Sequence, residues 1–163
     1  MFRTERPEPA IIVIFGASGD LTRRKLIPAL FTLYRRKMLP ENFAVLGTAR
    51  SVMDDAAFRD AVADGPLREA TEPDRWSEFA RHLHYQPLGY DDAGDYTALA
   101  ARLDELAATH GTGANRLFNL ALPPQLYQTV ARRLAGAGLA TSPPGGWVRL
   151  VVEKPFGRDL VTA

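Results

Sequence analysis

Residues 11–26, IIVIFGASGDLTRRKL, join a short apolar run directly to a turn of small residues and then to a basic segment. The run at 11–15 is continuously apolar, which is typical of a strand buried on both faces of a parallel sheet. Gly16 allows the backbone to leave that strand in a tight turn. The stretch therefore predicts a strand, a turn at its carboxyl end, and a helix.

Comparable apolar runs recur at 43–46, 117–122 and 148–152, and residues 82–85 alternate like a strand nearer an edge. Between them, apolar residues are spaced three or four apart, as in helices: Leu26, Leu30, Leu33 and Tyr34; Phe58 and Val62; Leu99, Leu103 and Leu106; Leu126, Tyr127, Val130 and Leu134. Pro28 should bend or restart the first helix, and Gly65-Pro66 should end the second. The alternation predicts an α/β fold, a doubly wound, mostly parallel sheet with helices on both faces, in one domain over 1–163.

Composition excludes several classes of protein. The chain has 163 residues, a net charge of +1 and no cysteine, so disulfide and thiolate chemistry are excluded. Neither a membrane span nor a signal-peptide core is visible, so we expect no membrane partner and a cytoplasmic location. Basic runs at 23–25 and 35–37 offer a nucleic-acid interpretation, but such runs are usually solvated and the balanced charge argues against it. We expect no metal site.

The turn after the first strand is a candidate phosphate site. Gly19 lets the backbone approach a pyrophosphate, and the amides of the first helical turn face the anion. The second apolar run leads to Arg50, where an NAD site places a carboxylate; a guanidinium can instead grip a 2′-phosphate, with Ser18 as a further donor. The alternative is an ordinary strand-to-helix turn, with Asp20 as an N-terminal helix acid and Arg50 as a solvated base. Two phosphate-suited residues on adjacent strands favour NADP, with NAD left open.

Four ordered motifs, GASGDLTRRKLIPALF, GTARS, RLFNLALPP and EKPFGRDL, together resemble the coenzyme domain of the glucose-6-phosphate dehydrogenase family. The resemblance implies a Rossmann-type domain of an NADP-dependent oxidoreductase that converts glucose 6-phosphate to 6-phosphogluconolactone in the pentose phosphate pathway. It implies cofactor-binding roles for Gly16, Ala17, Ser18, Gly19, Asp20, Leu21, Thr22, Arg23, Arg50, Tyr127 and Lys154. Lys154 would also contact the sugar substrate, and Pro155 is a candidate for a cis peptide bond.

The family's substrate motif, with its histidine base, lies downstream of EKPFGRDL and is absent from the chain. We therefore expect a fragment without the C-terminal substrate domain, without catalytic residues of its own and without dehydrogenase activity. His82, His84 and His110 are expected to be structural. Apolar surface should be exposed where the absent domain would dock, and such surface promotes self-association.

Two other functions compete with this one. The chain could be a non-catalytic NADP-binding module or a truncated product with no dehydrogenase role. A short-chain reductase needs a Tyr-x-x-x-Lys pair, but Tyr127 is followed four residues on by Ala131 and Tyr34 by Met38.

Overall fold

A five-stranded sheet forms the centre of the molecule, which a computed structural model describes over residues 5–63 and 73–154. The strands are β1 (Ala10–Phe15), β2 (Phe43–Ala49), β3 (Leu83–Pro87), β4 (Arg116–Leu120) and β5 (Val148–Val152). All four strand pairs are parallel and the order is β3-β2-β1-β4-β5. The predicted doubly wound α/β fold is confirmed, with β1 and β4 side by side at the centre of the sheet, where the winding reverses.

Five α-helices connect the described strands: α1 (Ile27–Arg35), α2 (Asp55–Ala63), α3 (Pro73–Ala80), α4 (Ala93–His110) and α5 (Tyr127–Gly136). A π-helical turn, Thr22–Leu26, precedes α1, and Pro28 lies in the first turn of α1. Proline lacks an amide hydrogen, so regular α-helical bonding begins at this point, as the sequence predicted. Pro66, expected to help end α2, lies outside the described residues together with Gly65.

Two apolar layers, one on each face of the sheet, confirm that helices cover both faces. Alternate residues of β1 divide between them, because successive strand side chains point to opposite faces. Phe15 packs in the layer with α4 and α5, whereas Ile14 packs in the layer with α1, α2 and α3. β2 is buried along its whole length, which explains why its sequence shows no polar alternation.

The expectation that residues 148–152 form a doubly buried strand is wrong. β5 is the outermost described strand on its side of the sheet, and Leu150 and Val151 are 49% and 40% exposed. Helices of the described chain cover only part of one face of β5, through Val148 and Val152. The strand therefore presents apolar surface, as the sequence predicted for some part of the domain.

The opposite edge of the sheet, β3, is covered by α2. The Tyr85 amide donates to Asp55 Oδ1 at 2.8 Å, and Arg59 Nε donates to the Leu83 carbonyl at 2.8 Å. These side chains satisfy backbone groups that an edge strand would otherwise leave unpaired. None of the helices described is long and apolar enough to cross a membrane.

Candidate functional site

The glycine turn lies at the carboxyl end of β1 and is fastened to β2. The amides of Gly16 and Ala17 both donate to the Thr48 carbonyl, at 2.9 and 3.1 Å. Within the turn, the Gly19 amide donates to the Gly16 carbonyl, and the Thr22 hydroxyl donates to that same oxygen at 3.2 Å. The first turn and the tip of the second strand are thus joined by hydrogen bonds, and they follow adjacent strands as the sequence predicted.

Gly16 is required by its surroundings as well as by its backbone. Its φ of +87° is one that side-chain-bearing residues rarely adopt, and a Cβ there would collide with the Ala121 carbonyl oxygen. Ala121 follows β4, and its amide donates to the Phe15 carbonyl at 3.0 Å. The loops that leave β1 and β4 are therefore in direct backbone contact.

The turn residues separate into a buried and an exposed set. Ala17 and Thr22 are buried, so they can offer a ligand only backbone atoms. Ser18, Gly19, Asp20, Leu21 and Arg23 are exposed. A Cβ on Gly19 would meet only the Gly16 carbonyl oxygen within 4 Å, so the backbone beyond it is open to a close ligand.

Helical structure begins at Asp20, and no side-chain hydrogen bond caps the π-helical turn that follows. The first amides of any helix lack intrahelical partners and favour an anion. The amides of Ser18, Asp20 and Leu21, which donate to no described backbone carbonyl, suit a phosphate group together with the Ser18 hydroxyl and the bases of the segment. Asp20, the first residue with helical structure, is exposed and adds a carboxylate beside these groups.

Arg50 lies one residue beyond β2, exposed and next to the glycine turn in the sheet order. Its Cζ is 5.9 Å from the ring centroid of Tyr90, a residue that sequence reasoning missed as part of the site. Burial raises the pKa of Tyr90, opposed by Arg50 and by a hydrogen bond from the Gly16 backbone. Tyr90 therefore lies beside both the glycine turn and Arg50. Tyr90 follows the predicted strand at residues 82–85, and that position was the sequence signal that could have placed it at the carboxyl edge of the sheet.

Tyr127 and Lys154 mark the other half of the same sheet edge. Tyr127 begins α5, and its hydroxyl donates to the Glu153 carbonyl at 3.4 Å. Lys154 is exposed just after β5, and the residues described include no ion pair between it and Glu153. The structure thus brings Tyr127 close to the chain at Lys154. Pro155 and the rest of the EKPFGRDL motif, except Glu153 and Lys154, lie outside the described residues.

The three histidines lie away from this edge, in a cluster at the amino end of β3. His84 Nδ1 donates to Asp55 Oδ2 at 2.8 Å, and His84 Nε2 is 2.8 Å from His110 Nε2. His82 stacks on Phe43 with ring centroids 4.1 Å apart. Because the Asp55 carboxylate can only accept, His84 carries its proton on Nδ1 and accepts from His110 through Nε2. The expected structural role of the histidines agrees with these contacts.

Two arginines in that cluster influence the protonation of Asp55 and the histidines. Arg102 is 3.1 Å from Asp55 Oδ2, and Arg59 is 3.9 Å from it. Burial alone would raise the pKa of Asp55, but the Tyr85 amide, His84 and Arg102 outweigh it and lower that pKa. Burial lowers the pKa of His84 despite Asp55, and burial with the neighbouring bases lowers the pKa of His110 to about 4. Within the described residues, no group of three or more His, Cys, Asp or Glu is arranged to hold a metal ion.

The two basic runs lie at different ends of one helical segment. Residues 23–25 lie in the π-helical turn at its start, and residues 35–37 lie at the end of α1.

Comparison with known proteins gives a consistent result. The sequence profile described as "Glucose-6-phosphate dehydrogenase, NAD binding domain" matches residues 13–163. A glucose-6-phosphate 1-dehydrogenase of Aggregatibacter actinomycetemcomitans is 45% identical over 97% of this chain and 32% of its own length. The corresponding protein of Bacillus subtilis is 37% identical over 99% of this chain and 32% of its own length. The chain thus spans about a third of these relatives.

Solved structures agree with the sequence relatives. A glucose-6-phosphate dehydrogenase in complex with its substrate glucose 6-phosphate superposes with a TM-score of 0.82 at 34% identity, over 99% of this chain and 33% of that one. The Mycobacterium avium glucose-6-phosphate 1-dehydrogenase gives a TM-score of 0.77 at 28% identity, over 96% and 32%. The fold, the order of motifs and the profile match converge, and the chain belongs to the family of the NAD-binding domain of glucose-6-phosphate dehydrogenase.

Proposed function

We propose that the chain binds NADP at the carboxyl edge of its sheet, as the coenzyme-binding part of a dehydrogenase that oxidises glucose 6-phosphate. The observation that carries the proposal is the position of Arg50. It is a guanidinium, at the tip of β2, beside a glycine turn whose amides are fastened to Thr48 of that strand. A planar guanidinium donates paired hydrogen bonds to a phosphate, where a carboxylate would repel it.

Each part of the edge would contribute a different contact. The backbone amides of Ser18, Asp20 and Leu21 would hold the pyrophosphate together with the Ser18 hydroxyl, since the amides of Gly16, Ala17, Gly19 and Arg23 already donate to carbonyls of the protein. Arg50 would hold the 2′-phosphate. Tyr127 would lie near the nicotinamide end, and Lys154 would contact coenzyme and sugar. When bound, the nicotinamide ring accepts hydride. The chain's own residues bind and orient the coenzyme.

A substrate domain outside this chain belongs to the same proposal. Exposed apolar residues on β5 support it, because a face of this kind is usually covered by further protein. Self-association is the alternative use of the same surface. A cytoplasmic location is proposed as well, supported by the absence of cysteine.

The proposal is tested by titrating NADP and NAD against the wild-type chain and Arg50→Ala. We expect Arg50→Ala to weaken NADP binding by about 1.5–3 kcal/mol, because a charge-assisted contact is lost, and to leave NAD nearly unchanged. Arg36→Ala is the matched control, because it removes the same charge at the end of α1. Equal weakening of both coenzymes by Arg50→Ala, or an equal effect of Arg36→Ala, would contradict the proposal.

A non-catalytic NADP-binding module is the second candidate. It is favoured by the placement of the histidines, since all three make hydrogen bonds at the amino end of β3, away from the glycine turn. Removal of a hydroxyl proton during hydride transfer needs a base within hydrogen-bond reach of the substrate. The described part of the chain offers no histidine for that step at this edge.

A further inference from the structure

Tyr85 contacts the backbone on both sides of Arg50. Its hydroxyl is 2.7 Å from the Ser51 carbonyl oxygen and 3.2 Å from the Ala49 carbonyl oxygen. A phenol has one hydrogen to donate, so the two carbonyls share it and the shorter contact, to Ser51, is the stronger. Ser51 and Val52 are exposed, and Val52 is 91% exposed, so this loop gains little order from its own side chains.

Tyr85 is itself firmly placed. It is buried on β3, its ring centroid is 5.3 Å from that of Phe58, and its amide donates to Asp55 Oδ1 at 2.8 Å. Burial raises the pKa of Tyr85 to about 12, so the hydroxyl keeps its proton and stays a donor near neutral pH. The packing of β3 therefore fixes Tyr85, and Tyr85 in turn restrains the loop that carries Arg50.

We propose that Tyr85 is a positioning residue for coenzyme discrimination, which acts through Arg50. The Leu88 amide already holds the Ala49 carbonyl at 2.9 Å, and the Tyr85 hydroxyl adds the contact to the Ser51 carbonyl, beyond Arg50. Together they fix the backbone from which the guanidinium projects. Among the described residues the guanidinium makes no hydrogen bond or ion pair, and its Cζ lies 5.9 Å from the centroid of the Tyr90 ring. A fixed backbone lowers the entropy that the side chain loses on binding a phosphate. This inference rests on the proposed NADP function.

The test is Tyr85→Phe, which removes only the hydroxyl. We expect NADP affinity to fall about three- to tenfold, the value of one ordinary hydrogen bond, with NAD affinity unchanged. Tyr34→Phe is the matched control: it removes a hydroxyl that is 3.4 Å from Glu78 and remote from Arg50, and should change neither affinity. A merely structural role for Tyr85 would weaken both coenzymes alike, and that result would overturn the inference.

A double variant shows whether Tyr85 acts through Arg50. In an Arg50→Ala background, Tyr85→Phe should cause no further loss of NADP affinity, because the group that it positions is gone. A persistent loss in that background would overturn the inference. If Arg50→Ala proves unselective between NADP and NAD, the proposed function fails, and that outcome does not depend on Tyr85.

Amide hydrogen exchange gives a second readout that needs no coenzyme. In Tyr85→Phe, the amides of Leu88 and Phe58 should exchange faster, because they donate to the Ala49 and Asp54 carbonyls at the two ends of the Arg50 loop, at 2.9 and 3.0 Å. The amides of β1 should keep their protection, which also shows that the variant is folded. Unchanged exchange at both Leu88 and Phe58 would refute the holding contact even if coenzyme affinity changed.

Discussion

Acid should destabilise this domain through the contact between His84 and His110. The unfolded chain takes up protons on its histidines as the pH falls below about 6.5, whereas burial lowers the pKa of His84 and lowers that of His110 to about 4 in the folded state. The unfolded state therefore binds more protons in this range. Stability contributed by the neutral pair is fully present above about pH 6.5 and is lost as the pH falls toward about 4.

The size of the effect follows from the His110 value. Each tenfold difference in proton affinity between the two states corresponds to about 1.4 kcal/mol. A His110 pKa of 6.5 in the unfolded state and about 4 in the folded state therefore sets a ceiling of about 3.5 kcal/mol. The His110 ring is only partly buried, and solvent screening reduces the expected loss to about 1–2 kcal/mol.

The hydrogen bond between His84 and His110 is a second reason why acid should destabilise the folded state. The Nε2 atoms of His84 and His110 are 2.8 Å apart, so one must donate and the other accept. If both rings were protonated, two N–H groups would face each other and the contact would break. Asp55 stabilises charge on the pair, but Arg59, Arg102 and His82 oppose it.

The assay is urea unfolding at several values between about pH 7.5 and pH 5, followed by tryptophan fluorescence. Trp76 packs edge-on against Phe31 at 5.4 Å, so its emission reports on the folded core. His110→Gln keeps a side-chain donor but cannot titrate, and should reduce the loss of stability in acid. Gln128→His places an extra imidazole at an exposed position and should leave the pH dependence unchanged. Stability that is independent of pH in the wild type, or unaltered pH dependence in His110→Gln, would refute the reasoning.

Two further predictions concern packing and catalysis. A Cβ at Gly47 would lie 2.7 Å from Phe58 Cζ and 2.8 Å from Ala17 Cβ, so Gly47→Ala should destabilise the fold by about 1–3 kcal/mol in urea unfolding. Gly136→Ala, where a Cβ meets nothing within 4 Å, is the control and should be neutral or stabilising. Incubated with glucose 6-phosphate and NADP, the 163-residue chain should form no NADPH above background, because its described residues place no histidine base at the carboxyl edge of the sheet. Measurable turnover would disprove this.

The sheet was predictable because β1 and β2 are buried on both faces, so their apolar runs are uninterrupted. β5 has a similar run, but its exposure depends on its outermost place in the sheet, which a local pattern does not report. α3 was not predicted because only Trp76 and Phe79 mark its apolar side within eight residues.

The site was predictable in part. Arg50 and the glycine turn follow adjacent strands, and that is visible once strands are assigned. The roles of Tyr85 and Tyr90 were not visible, since their contacts with the Arg50 segment join residues about 35 and 40 positions apart along the chain. Only the pairing of β2 with β3 brings them together.

The backbone contact between Phe15 and Ala121 has a consequence for binding. This hydrogen bond joins the loop that would bind the pyrophosphate to the loop that leads toward Tyr127, and so it resists their separation. A flexible dinucleotide that binds along this edge meets loops that are already ordered. Most of the conformational entropy lost on binding is then lost by the nucleotide. A closing movement over it would then come from protein approaching the edge, with no hinge between these two loops.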